Sequence, residues 1–291
     1  MRLVLVLLCC APCLALAAGC GGGGQDADGG TGALAARDRP SPRPARPRID
    51  LRAKPAFVAA RSDVPILAYH QLRPQTGADA AVDRPYIMPP KTFRAELDTL
   101  VRRGYHTISP DQLLAHLTTG TRLPAKPVIL SFDDAADDHY RVALPELRKR
   151  HMTATFFVMT VVLGNENYLT RGQVRALDRA GMTVAAHTWD HHRVDQYAGD
   201  DWRIQIDEPT RTLERIVGHP VRYFAYPFGA WSRKAFSHLR HAGLRAAFQL
   251  TDQPITFSDP LMTIRRKIAS PDWSTREFVQ ALRGGFRTVG A

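Results

Sequence analysis

The chain has 291 residues, 44% of them hydrophobic and 23% charged, which excludes a disordered polyelectrolyte and fits one large globular domain or two small ones. Its formal charge of +11 would suit an anionic partner, but no nucleic-acid recognition motif accompanies it, and no protein partner can be deduced. All four cysteines, Cys9, Cys10, Cys13 and Cys20, lie in the first twenty residues, so the rest of the chain has neither disulfides nor thiolate ligands.

Residues 1–20 read as an export signal. Arg2 gives a positive start, 3–8 is an apolar run, and small residues precede Cys20. Leu16-Ala17-Ala18-Gly19-Cys20 resembles a bacterial lipoprotein cleavage site, which implies acylation of Cys20 and an exported, membrane-anchored protein on the periplasmic side or the cell surface. An ordinary signal that happens to contain cysteines is the alternative. Residues 21–61, rich in Gly, then Pro and Arg, read as a flexible linker. The linker holds eight basic residues against four acidic ones, so about six of the eleven positive charges stay on the domain. A basic tether suits an anionic envelope surface.

The domain, 62–291, is expected to open on a strand at 65–70 that ends on His70. A helix from about Lys91 carries Phe93, Leu97 and Leu100 at helical spacing and stops at Gly104. A strand at 105–108 leads to a helix started by Ser109-Pro110. Residues 127–132 form an apolar strand that delivers Asp133 and Asp134. Further strands are expected at 154–158, 182–186, 223–226, 246–250 and 264–268. The helices between and after them lie around 144–151, 170–180, 202–217, 232–241 and 275–282. This alternation predicts a parallel sheet covered by helices, either a barrel or an open doubly wound sheet. The chemistry-bearing residues collect at strand ends, which in an α/β barrel share one mouth.

Two adjacent carboxylates at a strand end are costly without a compensating cation. His187 and His191, four residues apart, supply two imidazoles, and a carboxylate completes an open site of two nitrogens and one oxygen. Such a set suits zinc first, and also cobalt, nickel or iron. A histidine pair alone is weak evidence, and many are surface accidents.

The pattern then becomes specific. Ser131-Phe132-Asp133-Asp134-Ala135 resembles the T-F-D-D-G motif of the NodB-type polysaccharide deacetylases (carbohydrate esterase family 4). His187-Thr188-Trp189-Asp190-His191 resembles that family's H-[ST]-x-x-H, and Phe224-Ala225-Tyr226-Pro227-Phe228-Gly229 its third motif. The resemblance runs from about Pro65 to Phe286, with a NodB-like core at about 126–291. It implies a distorted (β/α)7 barrel, a divalent metal, and removal of N-acetyl groups from an amino-sugar polysaccharide. It also implies roles: Asp133 as base, and Asp134, His187 and His191 as metal ligands. The C-terminal L-x-H acid of many members is missing, since no histidine follows His241. Leu67-Ala68-Tyr69-His70 instead resembles the L-x-Y-H of the poly-β-1,6-N-acetylglucosamine deacetylases, which makes His70 the expected acid.

The backbone N–H of Phe228 is the expected oxyanion donor. Tyr226, Pro227, Trp189 and Trp231 are expected against substrate. Ala225 stands where many members carry a base-orienting arginine, and Arg265 or Arg266 is the expected substitute, the alternative being that both face solvent. Ala135 replaces the family glycine, and a positive φ there would be strained. His139 is expected to be structural or exposed. Asp137 and Asp138 are expected at the exposed start of a helix. An O-acetyl esterase or other amidase on the same fold, and an inactive carbohydrate-binding protein, are the competing readings.

Overall fold

A computed structural model describes residues 47–250, 258–284 and 286. The signal, Cys20 and the linker up to residue 46 lie outside the described residues. Among the described residues no helix is long and apolar enough to cross a membrane.

The elements follow the expected alternation in the order α1 (Pro55–Ala59), β1 (Ile66–Tyr69), α2 (Pro90–Arg102), β2 (His106–Thr107), α3 (Pro110–Thr119), β3 (Pro127–Phe132), α4 (Leu144–Lys149), β4 (Thr155–Val158), α5 (Arg171–Arg179), β5 (Thr183–Ala186), α6 (Glu208–Val217), β6 (Tyr223–Ala225), α7 (Arg233–His241), β7 (Ala246–Gln249), β8 (Ile264–Arg265), β9 (Lys267–Ile268) and α8 (Thr275–Ala281). Local chemistry sets several helix ends. Ser109, Thr170 and Ser274 each close a reciprocal capping box with the residue three positions on. Gly120 and Gly218 stop α3 and α6 in the left-handed conformation.

All strand pairs are parallel, and the path runs β8-β7-β6-β5-β4-β3-β1-β9, with β2 added beside β3. The expected single strand at 264–268 is broken after Arg265. Its first half pairs with β7 and its second with β1 (Phe248↔Ile264, Leu67↔Lys267). These two consecutive pieces bring the ends of the sheet together, so the sheet is nearly closed into the expected distorted (β/α)7 barrel. The residue at the break is Arg266, whose amide still donates to the Gln249 carbonyl of β7 at 3.1 Å.

The period of two along each strand separates two cores. Leu67, Tyr69, Leu130, Phe132 and Phe156 pack outward with Phe93 and Leu97 of α2 and Val174 of α5. Ile66, Ile129, Phe157, Ala185, Ala225 and Phe248 form the second core, together with Leu113, Leu114 and Leu117 of α3. By parity, Asp133 shares its face with Ile129 and Ser131, His70 with Ile66, and His187 with Ala185. All three enter the barrel side of the sheet.

One expected boundary moves. The domain was placed from residue 62, but Pro55–Ala59 is a helix whose Val58 is buried in the inner core, against α3. Proline and arginine made this stretch read as linker. Proline at the first helical position costs nothing there, and one buried valine anchors the turn.

Candidate active site

β3 ends at Phe132, whose Cα is in register with Tyr69 of β1. Asp133 and His70 therefore leave their strands side by side. The Asp133 carboxylate is fully buried and receives two bonds from Arg266, Nη1 to Oδ1 at 2.7 Å and Nη2 to Oδ2 at 2.8 Å. Arg266 is itself buried and lies over the Phe157 ring. Its Nη1 also donates to Ser131 Oγ (3.1 Å), which in turn donates to the Leu67 carbonyl (2.8 Å). Burial alone would raise the Asp133 pKa, but the Arg266 guanidinium, with help from His187, outweighs it and holds the carboxyl below its usual value. Of the two arginines considered from the sequence, the strand break turns Arg266 inward. Arg265 is the preceding residue of β8, and successive strand residues face opposite ways.

His70 Nε2 lies 3.9 Å from Asp133 Oδ2. The imidazole is nearly buried, with Tyr86 edge-on at 4.9 Å. Burial lowers its pKa, and the Asp134 and Asp133 carboxylates only partly oppose this.

Asp134 faces two imidazoles. Its Oδ1 is 3.3 Å from His187 Nε2 and 3.4 Å from His191 Nε2. The three potential donor atoms lie within 4.8 Å of one another. His187 Nδ1 is 2.8 Å from the Ala225 carbonyl, which can only accept, so this nitrogen carries a proton and Nε2 is the one turned to Asp134. Asp134 Oδ1 is buried and has no hydrogen-bond partner. Burial lowers both histidines. Asp134, with Asp133, more than reverses this at His187, whereas proximity to His187 helps keep His191 down, at about 4. One electron-rich position between two imidazoles and an orphaned carboxylate oxygen fits a divalent cation of borderline softness.

The segment 187–191 is a tight turn rather than a helix. Thr188 and His191 both have positive φ, and the His191 amide donates to Thr188 Oγ1. Buried Gln205 accepts from the amides of Trp189 and Asp190 and so pins the turn. Sequence reading missed Gln205, which lies in a π-helical segment, 203–207, directly before α6. It also missed Tyr86.

Two expected substrate contacts are corrected. Tyr226 is fully buried and its hydroxyl donates to the Met262 carbonyl at 2.9 Å. Pro227 is buried beneath the following turn. Both belong to the wall that carries the turn, because the sheet's alternation aims Tyr226 outward into the helix-covered core. Trp231 is half-buried, with its indole N–H on Gln249 and its ring on Phe236. Trp189 is 42% exposed and Phe228 59%. Phe228 packs edge-on against His191 at 4.4 Å, with φ 58°. The amides of Gly229 and Ala230 are spent on the carbonyls of Tyr226 and Pro227. Phe228 is left as the turn's candidate donor. Asp138 is not at an exposed helix start either. It is buried and accepts the Leu72 amide at 2.8 Å.

The comparisons agree with this geometry. Residues 120–247 match the polysaccharide deacetylase family model. The putative polysaccharide deacetylase YxkH of Bacillus subtilis is 24% identical over 215 residues, 74% of this chain and 74% of its own. The poly-β-1,6-N-acetyl-D-glucosamine N-deacetylase of Staphylococcus aureus is 22% identical over 201 residues, 64% of this chain and 69% of its own. The solved structure of the Streptococcus pyogenes deacetylase PplD in complex with acetate shares the fold, with TM-score 0.69 and 24% identity over 76% of this chain and 98% of that one. Over residues 120–247 the chain is thus similar to the polysaccharide deacetylases.

Proposed function

We propose that this protein is a metal-dependent N-deacetylase acting on an acetylated amino-sugar polymer of the cell envelope, a poly-N-acetylglucosamine-like exopolysaccharide being the first substrate to test. One observation carries the reading. A fully buried carboxylate, Asp133, is fixed by Arg266 directly beside the Asp134–His187–His191 trio and His70.

Asp134, His187 and His191 would hold the cation. A divalent metal bound there, zinc by preference, would supply polarisation of the acetyl carbonyl and a lowered pKa for water. Asp133, kept ionised by Arg266, accepts a proton as water attacks the carbonyl carbon. The Phe228 amide donates to the developing oxyanion. His70 delivers a proton to the leaving amine nitrogen. Burial disfavours imidazolium in the resting site, so the proton that Asp133 takes from water supplies His70, whose Nε2 lies 3.9 Å from Asp133 Oδ2, and leaves with the amine. The products are acetate and a free amine. Trp189 and Phe228 offer exposed aromatic faces to the sugar rings.

The lipoprotein-like segment ending at Cys20 supports an anchored, exported enzyme, with the linker as its tether. Acetate release from β-1,6- and β-1,4-linked N-acetylglucosamine oligomers, peptidoglycan and acetylated xylan tests the reading. We expect release from the amino-sugar polymers and its loss in Asp133→Asn by at least ~100-fold. Release from xylan alone would make the protein an O-acetyl esterase.

A further inference from the structure

His139 is the most buried polar ring of the domain that the chemistry above does not use. It is fully inaccessible, packed at a tilt against the stacked rings of Phe132 and Phe156 at centroid distances of 5.4 and 5.8 Å. Its Nε2 lies 2.6 Å from the backbone carbonyl of His70. A carbonyl only accepts, so Nε2 carries the proton and Nδ1 is a bare acceptor. That Nδ1 is buried without a partner. A phenylalanine would fill the same aromatic slot without stranding a nitrogen, so packing alone does not account for an imidazole here.

The neighbouring residue points to the same target. Asp138 is buried and accepts the amide of Leu72 at 2.8 Å. Between these two bonds, Gln71 donates to the Tyr86 carbonyl and accepts from the Met88 amide. The three residues that follow β1 are thus gripped from both sides. One grip comes from the loop at 86–88. The other comes from the point where the chain leaves Asp134 and enters the π-helical turn His139–Ala143. The Asp133–Asp134 pair and the clamp on His70 are therefore built by one short segment, five and six residues apart.

We propose that His139 and Asp138 are positioning residues for His70. They fix the backbone at His70 and Leu72 and so set the His70 imidazole against Asp133. This rests on the assignment of His70 as the acid in the proposed deacetylation. Neither residue touches substrate. Their effect is exerted on the orientation of one ring at a strand end, where the ladder no longer holds the chain.

The test is a double-mutant cycle on the full domain with metal supplied. His139→Phe keeps the aromatic packing and removes the donor. His139→Gln can return an N–H close to the position of Nε2. We expect His139→Phe to lower kcat about tenfold or more with KM within about twofold, and His139→Gln to recover most of the loss. In a His70→Ala background, His139→Phe should cost less than about twofold further, because its only route is through His70. An equal loss in both backgrounds, or an unchanged kcat, overturns the proposal. If the wild-type protein releases no acetate from any polymer, the functional reading fails by itself. The clamp is then judged by amide hydrogen exchange at Gln71 and Leu72, which His139→Phe and Asp138→Ala must each accelerate. Unchanged exchange in both variants sinks it.

Discussion

Asp133 and Asp134 are neighbours in sequence, yet they sit in two different kinds of site. Asp133 is the last residue delivered by β3 and is wholly buried, and its countercharge is a guanidinium built into the chain 133 residues later. Asp134 is the second residue past the strand, in the left-handed region (φ 73°), about a third exposed, with two imidazoles before it. One carboxylate has its countercharge built into the chain, and under the proposed function the other would be compensated by an exchangeable cation. The difference follows from the tasks. Under the proposed function, a base has to be an anion before it takes its proton, whereas a metal ligand needs only the cation it binds.

The largest expected effect breaks the permanent half. Arg266→Met leaves Asp133 buried and unpaired, which costs ~3–5 kcal/mol, a large share of what a domain has to lose. Replacing both members, Asp133→Asn with Arg266→Met, should recover most of that stability while leaving the protein inactive. The pH dependence has a definite sign. In the wild type the Asp133 pKa lies below its unfolded value, so its contribution is present above about pH 4 and is lost as pH falls through the folded pKa. The gap between wild type and Arg266→Met should therefore be widest near neutrality and narrow in acid. Urea unfolding at pH 3, 5 and 7 measures it. A gap independent of pH would show that the arginine acts by packing alone.

The exchangeable half predicts a smaller effect of a different kind. Zinc at one hundred times its dissociation constant should stabilise the fold by about 2.7 kcal/mol. For a domain of this size that is a rise in Tm of roughly 5–10 °C, reversed by a chelator. Asp134→Ala and His191→Ala should abolish the shift, and Asp133→Asn should keep it. If Asp133→Asn lost the shift as fully as Asp134→Ala, the two carboxylates would not have separate jobs.

Much of this division was legible in the sequence, for physical reasons. An apolar run ending in two aspartates, and two histidines four apart at the end of another strand, are local patterns, and strand parity turns them toward one mouth. The regular alternation left a barrel or an open doubly wound sheet, and the family resemblance chose the barrel. Choosing between Arg265 and Arg266 required knowing that the last strand breaks, and the break comes from pairing with β7 on one side and β1 on the other. That is a closure effect with no local signature. Tyr226 was misjudged because its motif position suggested substrate, while parity places it on the outer face. Asp138 was expected at an exposed helix start but is buried before the π-helical segment, and of the two readings for His139 the structural one holds. Gln205 was missed because a lone buried glutamine carries no local signal of the loop it holds.

The smallest expected effect concerns the backbone that separates the two aspartates' fates. Ala135 has φ 63° and is fully buried, in a position where the resembling motif has glycine. An alanine in that region costs ~1–2 kcal/mol of strain. Against this, its methyl contributes ~0.8 kcal/mol by burial, and a glycine would add ~0.4–1 kcal/mol of unfolded-state entropy. The terms nearly cancel, so Ala135→Gly should change stability by less than ~1 kcal/mol and leave zinc affinity within about twofold. The turn has other restraints that survive the change, since the Ala135 carbonyl accepts the Leu169 amide at 2.8 Å and Ala136 bridges to Tyr168. A tenfold gain in zinc affinity in Ala135→Gly would mean that the methyl holds Asp134 away from its best position, and that the exchangeable site is strained in a way the permanent one is not.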